Sequence, residues 1–293
     1  MSIRWRAEQR AFATLRVAMA GPTRQGIRLV GIDVDGTLVG HSGVVAPIVW
    51  QAVQTARAAG IRLALCSGRP AFGIALEYAR QLDSAGWHIF QNGSSVVDLA
   101  TNRSRSAPIA QDVIAELVAR ARDSHQLLEL YSDRDWAVES TSEWAYAHAT
   151  LLGVPLATRA FEALGAPVVR AQWLLGERDA QDYIAAPHPQ LEIAHATSPL
   201  MPDTHFIGLT ARGVSKGSAL RSVAEAYGIS LEDTMYIGDA GNDLPALTIA
   251  GHPVAMQDAS PAVLALARHV VGRAEDGGVA QALGIAMATS SRG

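Results

Sequence analysis

"DVDGTL", Asp33 to Leu38, sets two carboxylates on either side of one valine and follows them with a Gly-Thr turn. Crowded carboxylates repel unless a cation neutralises them, and hard oxygen ligands of this kind favour Mg²⁺. A plain strand-end turn rich in Asp and Gly is the bland alternative. "CSGRP" supplies the Ser67 hydroxyl, and Gly68 lets backbone N–H groups approach a ligand closely. A helix starting near Pro70 would add its positive end, which favours an anion such as phosphate, although Ser-Gly is also an ordinary turn. "GDAGND" brings Asp239, Asn242 and Asp243 into one short segment. Asp243 could equally be a helix N-cap.

The fourth stretch is "RGVSKGSAL", Arg212 to Leu220. Of the 24 Lys and Arg residues in the chain, Lys216 is the only lysine. A compact ammonium on a flexible stem offers a point charge to a phosphoryl oxygen, which a planar guanidinium imitates poorly. At about 4 Å and an effective dielectric near 20, such a pair is worth roughly 4 kcal/mol. Chance survival of one lysine in an arginine-rich chain is the competing account.

The elements around these stretches tell where they would meet. "GIRLVGID", "IRLALCSG" and "WHIFQNG" read as buried strands. The segments 47–60 and 69–86 between them carry helical apolar spacing with Pro and Gly at their limits. Strand, helix, strand, helix, strand predicts a parallel, Rossmann-like α/β sheet, whose strand carboxyl ends open onto a ligand crevice. Over 96–205 the rhythm changes to paired strands between helices, the pattern of an inserted α+β cap. The α/β rhythm resumes with a helix at Lys216–Tyr227, the strand "TMYIGD", a helix "DLPALTIAG" and the strand "PVAM". The expected organisation is therefore an N-terminal extension over 1–25, a core from 26–95 and 206–293, and a cap from 96–205.

Composition bounds the function. With 293 residues, 49% of them hydrophobic, and a net charge of −4, the chain has material for about two domains and no basic field that would call for nucleic acid. One cysteine, Cys66, excludes an internal disulfide framework and fits a reducing compartment. No apolar run approaches the roughly 18 residues needed to span a bilayer, so a cytoplasmic protein without membrane partners is expected. The arginine-rich extension reads as a frayed or surface-packed helix, with a transit peptide as the alternative.

In this order and on these elements, the four stretches resemble the motifs of the haloacid dehalogenase superfamily of phosphotransferases. "QNGSSVVD", "VAMQDASPAV" and "EDGGVAQAL" extend the resemblance toward its Cof-type sugar-phosphatase branch, over Gly26 to about Gly284. The resemblance implies a phosphatase acting on a small phosphorylated metabolite. Asp33 would be the nucleophile and Asp35 the acid and base. Mg²⁺ would be held by Asp33, the Asp35 carbonyl and Asp239, with Asp243 behind or in place of one of them. The phosphoryl group would meet Ser67, Lys216, Asn242, Thr37, Arg69 and the backbone at Val34 and Gly68. Gln257-Asp258 departs from the branch's usual Gly-Asn, in a loop near the crevice.

Two rivals are a phosphomutase on the same scaffold and a phosphometabolite-binding protein without turnover. The intact set Asp33, Asp35, Lys216 and Asp239 speaks against the second, since a binder needs no nucleophile. A monomer or a homodimer is expected. Cys66 reads as core packing, and the nine histidines as surface residues with no spaced metal pair. Arg134, Arg159, Arg170 and Arg178 read as solvated cap residues that could also meet an acidic substrate. Trp136, Trp144 and Trp173 read as cap packing, with stacking on a sugar as the alternative.

Overall fold

The computed structural model describes residues 26–198 and 200–290. The N-terminal extension expected over 1–25 lies outside the described residues.

The first apolar run forms β1 (Leu29–Asp33), buried along its whole length as a central parallel strand must be. Then come α1 (Pro47–Ala58), β2 (Arg62–Cys66), α2 (Gly73–Asp83), β3 (Trp87–Phe90) and β4 (Ser95–Asp98). The intervening segment holds α3 (Gln111–Ser124), β5 (Leu127–Tyr131), β6 (Trp136–Val138), α4 (Glu143–Leu152), β7 (Arg170–Leu175), α5 (Glu177–Ala185), β8 (Leu191–Ser198) and β9 (Met201–Ala211). The chain closes with α6 (Lys216–Tyr227), β10 (Thr234–Gly238), α7 (Leu244–Ile249), β11 (His252–Met256), α8 (Pro261–Leu266), β12 (His269–Val271) and α9 (Gly278–Ser290).

Two sheets result. The first runs β12-β11-β10-β1-β2-β3-β4, all parallel except β4, which returns antiparallel beside β3. From β1 the chain builds outward to one side as far as β4, and after the insertion it resumes on the other side at β10. Strand order therefore reverses at β1, and ligands bind such sheets outside the carboxyl ends at that point. The second sheet, β6-β5-β7-β9-β8, is antiparallel throughout.

Two expectations shift, and some elements were not foreseen. The boundaries at 96 and 205 do not coincide with the sheets: β4 belongs to the first sheet, and β9 carries the second as far as Ala211. The helix expected near Pro70 begins at Gly73, leaving Ser67 to Phe72 as loop. No expectation covered β12 or α9, the latter packed against the first core through Val279, Ala282 and Leu283.

The second sheet has two unlike faces. Leu128, Leu130, Ala171, Trp173, Ile207 and Leu209 pack with α3 and α5 in one apolar cluster. The opposite face alternates apolar residues with Glu129 and Gln172, which stand directly across from each other on β5 and β7. A polar clasp joins the sheets at the linker after β4. Asp133, in the β5–β6 turn, accepts from Ser95 Oγ at 2.7 Å, from Ser104 Oγ at 2.6 Å and from Ser106 Oγ. Beside it, Gln91 Nε2 donates to the Ser132 carbonyl at 2.9 Å.

Candidate active site

Parallel register brings the sequence-distant acidic stretches together. Ile32 lies opposite Ile237, and Asp33 opposite Cys66. The residues just past these strand ends, Asp33 to Thr37, Ser67 to Arg69 and Asp239 to Asp243, therefore share one edge. Their approach is close. Gly36 has φ +89°, and a Cβ there would lie 2.3 Å from an Asp239 carboxylate oxygen.

Lys216 is the first residue of α6, whose start is fixed by a capping box. Ser215 Oγ accepts from the Ser218 N–H at 3.1 Å, and Ser218 Oγ accepts from the Ser215 N–H at 3.0 Å. This start is wedged against the turn after β3. Gly93 has φ +103°, and a Cβ on it would sit 2.2 Å from the Ser215 carbonyl. So held, the Lys216 side chain is 1% exposed, and its Nζ donates to Asp33 Oδ1 at 2.5 Å and Asp243 Oδ1 at 2.7 Å.

Asp243 stands at the N-cap position of α7 but makes no side-chain capping bond there. Its Oδ1 also accepts from Tyr236 OH at 2.7 Å, and its Oδ2 takes the backbone N–H groups of Asp239 and Ala240, each at 3.0 Å. Both oxygens are thus engaged in setting Lys216 and the Asp239 backbone. Thr37 Oγ1 donates to Asp239 Oδ1 at 2.9 Å.

Oxygens of Asp33, Asp239 and Asp243 lie within 4.8 Å of one another, served by one ammonium. The imbalance shows in their acidities. Burial raises the Asp33 carboxyl well above its ordinary range; the Lys216 charge opposes this and the Asp243 and Asp239 charges add to it. Burial raises Asp239 too, with Asp243 contributing. Burial would lower Lys216, but the Asp33 and Asp243 charges outweigh it and keep the ammonium protonated. A buried group of hard oxygen donors with an excess of negative charge is the donor set that Mg²⁺ takes.

Asp33 and Lys216 stand on the floor of a cavity of about 830 Å³ between the two sheets, while Asp239 and Asp243 lie behind its lining. Asp33, Asp35, Gly68, Arg69, Lys216 and Asn242 line it. Thr37 and Ser67 are buried behind that lining, Ser67 Oγ accepting from the Arg69 N–H at 3.0 Å. Val34 is a core side chain, and the expectation for it concerned its backbone only. Asp35 stands exposed, gripped by Arg69 through Nη2 at 2.6 Å and Nε at 3.0 Å. Asn242 Nδ2 donates to Asn92 Oδ1 at 3.0 Å. Gln257 and Asp258 are exposed and do not line the cavity.

The roof comes from the second sheet and α4. His148 and Gln172, which sequence reading missed, line it together with Arg170, with Glu129 directly behind. Arg170 is buried, whereas a solvated face was expected; its Nη1 donates to the Gly68 carbonyl at 2.9 Å. Arg134 and Arg178 are exposed as expected, and Arg159 pairs with Asp135. Trp136 and Trp173 are buried and Trp144 half-buried; none of the three lines the cavity. The surface expectation fails for His88 and His148, both buried, while Cys66 is core as expected. A signal existed: the otherwise apolar "LLELYS" and "RAQWLL" carry polar residues at the two-residue period of one strand face.

Among the described residues no helix is long and apolar enough to cross a membrane. The sequence model of the haloacid dehalogenase-like hydrolases matches residues 30–283. A Streptococcus pyogenes protein provisionally named a phosphatase is 28% identical over 263 residues, covering 88% of this chain and 97% of that one. The 5-amino-6-(5-phospho-D-ribitylamino)uracil phosphatase of Escherichia coli is 25% identical over 262 residues, 84% of this chain and 91% of its own. Among solved structures, one described as an HAD subclass IIB sugar phosphatase superposes with a TM-score of 0.72 at 24% identity, covering 88% of this chain and 98% of that one.

Proposed function

Because the chain belongs to the haloacid dehalogenase-like hydrolases, we propose that it is a Mg²⁺-dependent phosphatase of a small phosphorylated metabolite, working through an aspartyl-phosphate. The observation that carries this reading is Lys216 buried between Asp33 and Asp243 on the floor of the cavity. A binding protein has no use for a nucleophile held at such electrostatic cost.

Asp33 attacks phosphorus, and the bond from phosphorus to the ester oxygen breaks. Asp35 gives its proton to the departing alkoxide, then takes one from the water that opens the aspartyl-phosphate and frees inorganic phosphate. Lys216 and the backbone beyond Ser67 face the phosphoryl oxygens, where charge develops. Asp33 and Asp239 would hold Mg²⁺, which would supply positive charge that keeps the nucleophile ionised and offsets the phosphoryl charge. Asp243 serves by orienting Lys216 and Asp239. Arg69 competes for Asp35 until a phosphoryl group draws the guanidinium away, which leaves Asp35 free to take up from water the proton it gives to the alkoxide. The cavity volume suits a metabolite of sugar-phosphate size, in keeping with the phosphorylated ribityl chain named in the Escherichia coli relative.

The test is phosphate release from a panel of phosphorylated metabolites and p-nitrophenyl phosphate, with Mg²⁺ or with EDTA, for wild type and Asp33→Asn. Release that needs the metal and disappears in the variant is expected. Metal-independent release, or release retained by Asp33→Asn, overturns the mechanism. Phosphate moved within a substrate without being freed would make the enzyme a mutase.

A further inference from the structure

The roof of the cavity holds a polar array that the chemistry on the floor does not use. Glu129 is fully buried, yet its carboxylate takes three donors: Tyr131 OH at 2.5 Å, His148 Nδ1 at 2.8 Å and Gln172 Nε2 at 3.1 Å. Because a carboxylate only accepts, the contact with Gln172 fixes which end of that amide is nitrogen. The Gln172 carbonyl oxygen is left with no donor among the described residues, on a side chain that lines the cavity.

Two residues along the same strand, Arg170 is 7% exposed and lies 4.3 Å over the Tyr131 ring. Its Nη1 reaches the Gly68 carbonyl, while its Nε, shut off from solvent, finds no partner among the described residues. A buried guanidinium short of acceptors is costly, and a core built only for packing would not keep one at the edge of a cavity. Its bond to Gly68 places it beside the loop that meets the phosphoryl group. Whatever it touches on a substrate therefore lies close to the ester oxygen.

We propose that Gln172 and Arg170 form a subsite for a hydroxyl on the carbon next to the phosphorylated one, Gln172 Oε1 accepting from it and Arg170 donating to it, with Glu129 as the positioning residue. The inference rests on the phosphatase reading above. A hydroxyl both donates and accepts, so it fits an acceptor beside a donor. A carboxylate at the same place would face the Gln172 oxygen with no hydrogen to share, and the buried Glu129 charge behind it. The substrate class is thus a phosphomonoester of a polyol or an open-chain sugar.

Opposite Gln172 on β9 stands Gly208, which also lines the cavity. A Cβ there meets nothing nearer than 3.7 Å, so a side chain can be added over the subsite without disturbing the sheet.

The test compares kcat/KM in Mg²⁺ for glycerol 3-phosphate, for 3-hydroxypropyl phosphate, which keeps the terminal hydroxyl but lacks the one next to the phosphorylated carbon, and for 2-phosphoglycolate. A site with buried polar groups rejects an analogue that leaves them unpaired. Wild type is expected to favour glycerol 3-phosphate by about 100-fold over both others. Gln172→Met, Glu129→Gln and Gly208→Val should each bring the glycerol 3-phosphate to 3-hydroxypropyl phosphate ratio to within about 3-fold, since unpaired groups no longer discriminate. Partial unfolding lowers both rates together and leaves their ratio alone, so the ratio separates a subsite from a merely structural network. A wild-type ratio near one, or a ratio untouched by Gln172→Met and Gly208→Val, overturns the subsite. A preference for 2-phosphoglycolate overturns the hydroxyl in favour of an anion at Arg170. If p-nitrophenyl phosphate is cleaved and the ratio is flat, only this inference falls; if nothing is cleaved, both readings fall.

Discussion

In the first sheet the polar cluster hangs from strand ends, and in the second it is threaded across a strand face. Asp33 and Asp239 follow the last apolar residues of β1 and β10, and Lys216 opens a helix. Each therefore sits beside other informative residues in a short run of sequence. Glu129 and Gln172 are 43 positions apart and meet only because β5 and β7 pair in that register. The loops at strand ends can be rebuilt without disturbing the sheet, and they carry the reaction. A polar group in mid-strand must be matched across the register or it destabilises the sheet. The first arrangement suits a reaction held constant, and the second suits a roof that discriminates between leaving groups.

The contrast breaks first, and by the largest margin, at the nucleophile. Asp33→Asn should lower kcat by about 10⁴-fold or more, as loss of a covalent catalyst does. Its melting temperature should stay within a few degrees of wild type, because the amide keeps the shape and removes a charge that burial already disfavours. Steady-state kinetics and a thermal melt decide it. A variant that retains a tenth of the activity would move the chemistry off the strand ends.

Lys216→Arg should come next, at about 10²–10³-fold in kcat, the scale of one lost transition-state contact. The charge is kept, but the wider guanidinium cannot stand between two carboxylates at 2.5 and 2.7 Å in a position 1% exposed. Lys216→Met should instead lose about 3–5 kcal/mol of stability, since it strands buried charges. Near-normal kinetics for the arginine variant would make the lone lysine accidental.

The two buried histidines sharpen the comparison further. His148 on the cap faces a carboxylate, whereas His88 in the core faces only backbone. The Leu65 N–H donates to His88 Nδ1 at 3.0 Å, and Nε2 donates to the Asp83 carbonyl at 2.8 Å. Burial pushes the His88 pKa down to about 4 from an ordinary 6.5. The folded protein therefore holds His88 neutral while the unfolded chain takes up a proton below 6.5. Stability from this group is complete above that pH and drains away as pH falls toward 4, by roughly 2 kcal/mol between pH 7 and 4.5. Denaturant melts across that range should show the slope, and His88→Gln should flatten it. An unchanged slope would place the acid sensitivity elsewhere.

What could be read beforehand follows the same division. The apolar runs of β1, β2 and β10, the Lys216 helix start and both acidic stretches were legible, because each is a local pattern of burial or capping. The second sheet was legible as an order of strands and helices and no more. Nothing in "LLELYS" by itself says that Glu129 is buried and satisfied, since its partners Gln172 and His148 arrive from other elements. The solvated reading of Arg170 and the surface reading of His88 and His148 failed for the same reason. Each assumed that a polar side chain must find water, when a partner brought by tertiary structure serves as well. The boundary at 96 slipped because "SVVD" pairs with β3, a return that no spacing in the segment marks.

The junction of the two regions should give the smallest effect and the most diagnostic one. Asp133 belongs to a turn of the second sheet, but it accepts three seryl hydroxyls from β4 and the linker beyond it. Asp133→Ala leaves those hydroxyls without their acceptor at a half-buried place where water can replace it, so the stability loss should be about 1 kcal/mol. The clasp touches neither Asp33 nor Lys216, so kcat should stay within about 2-fold. It does fix the roof relative to the floor, and a looser roof must be ordered again each time a leaving group binds. KM should therefore rise by about 3–5-fold, which is the cost of roughly one such ordering step. The reverse pattern, a fall in kcat at constant KM, would show that the clasp tunes the strand-end chemistry, and the two polar clusters would then be coupled parts of one site.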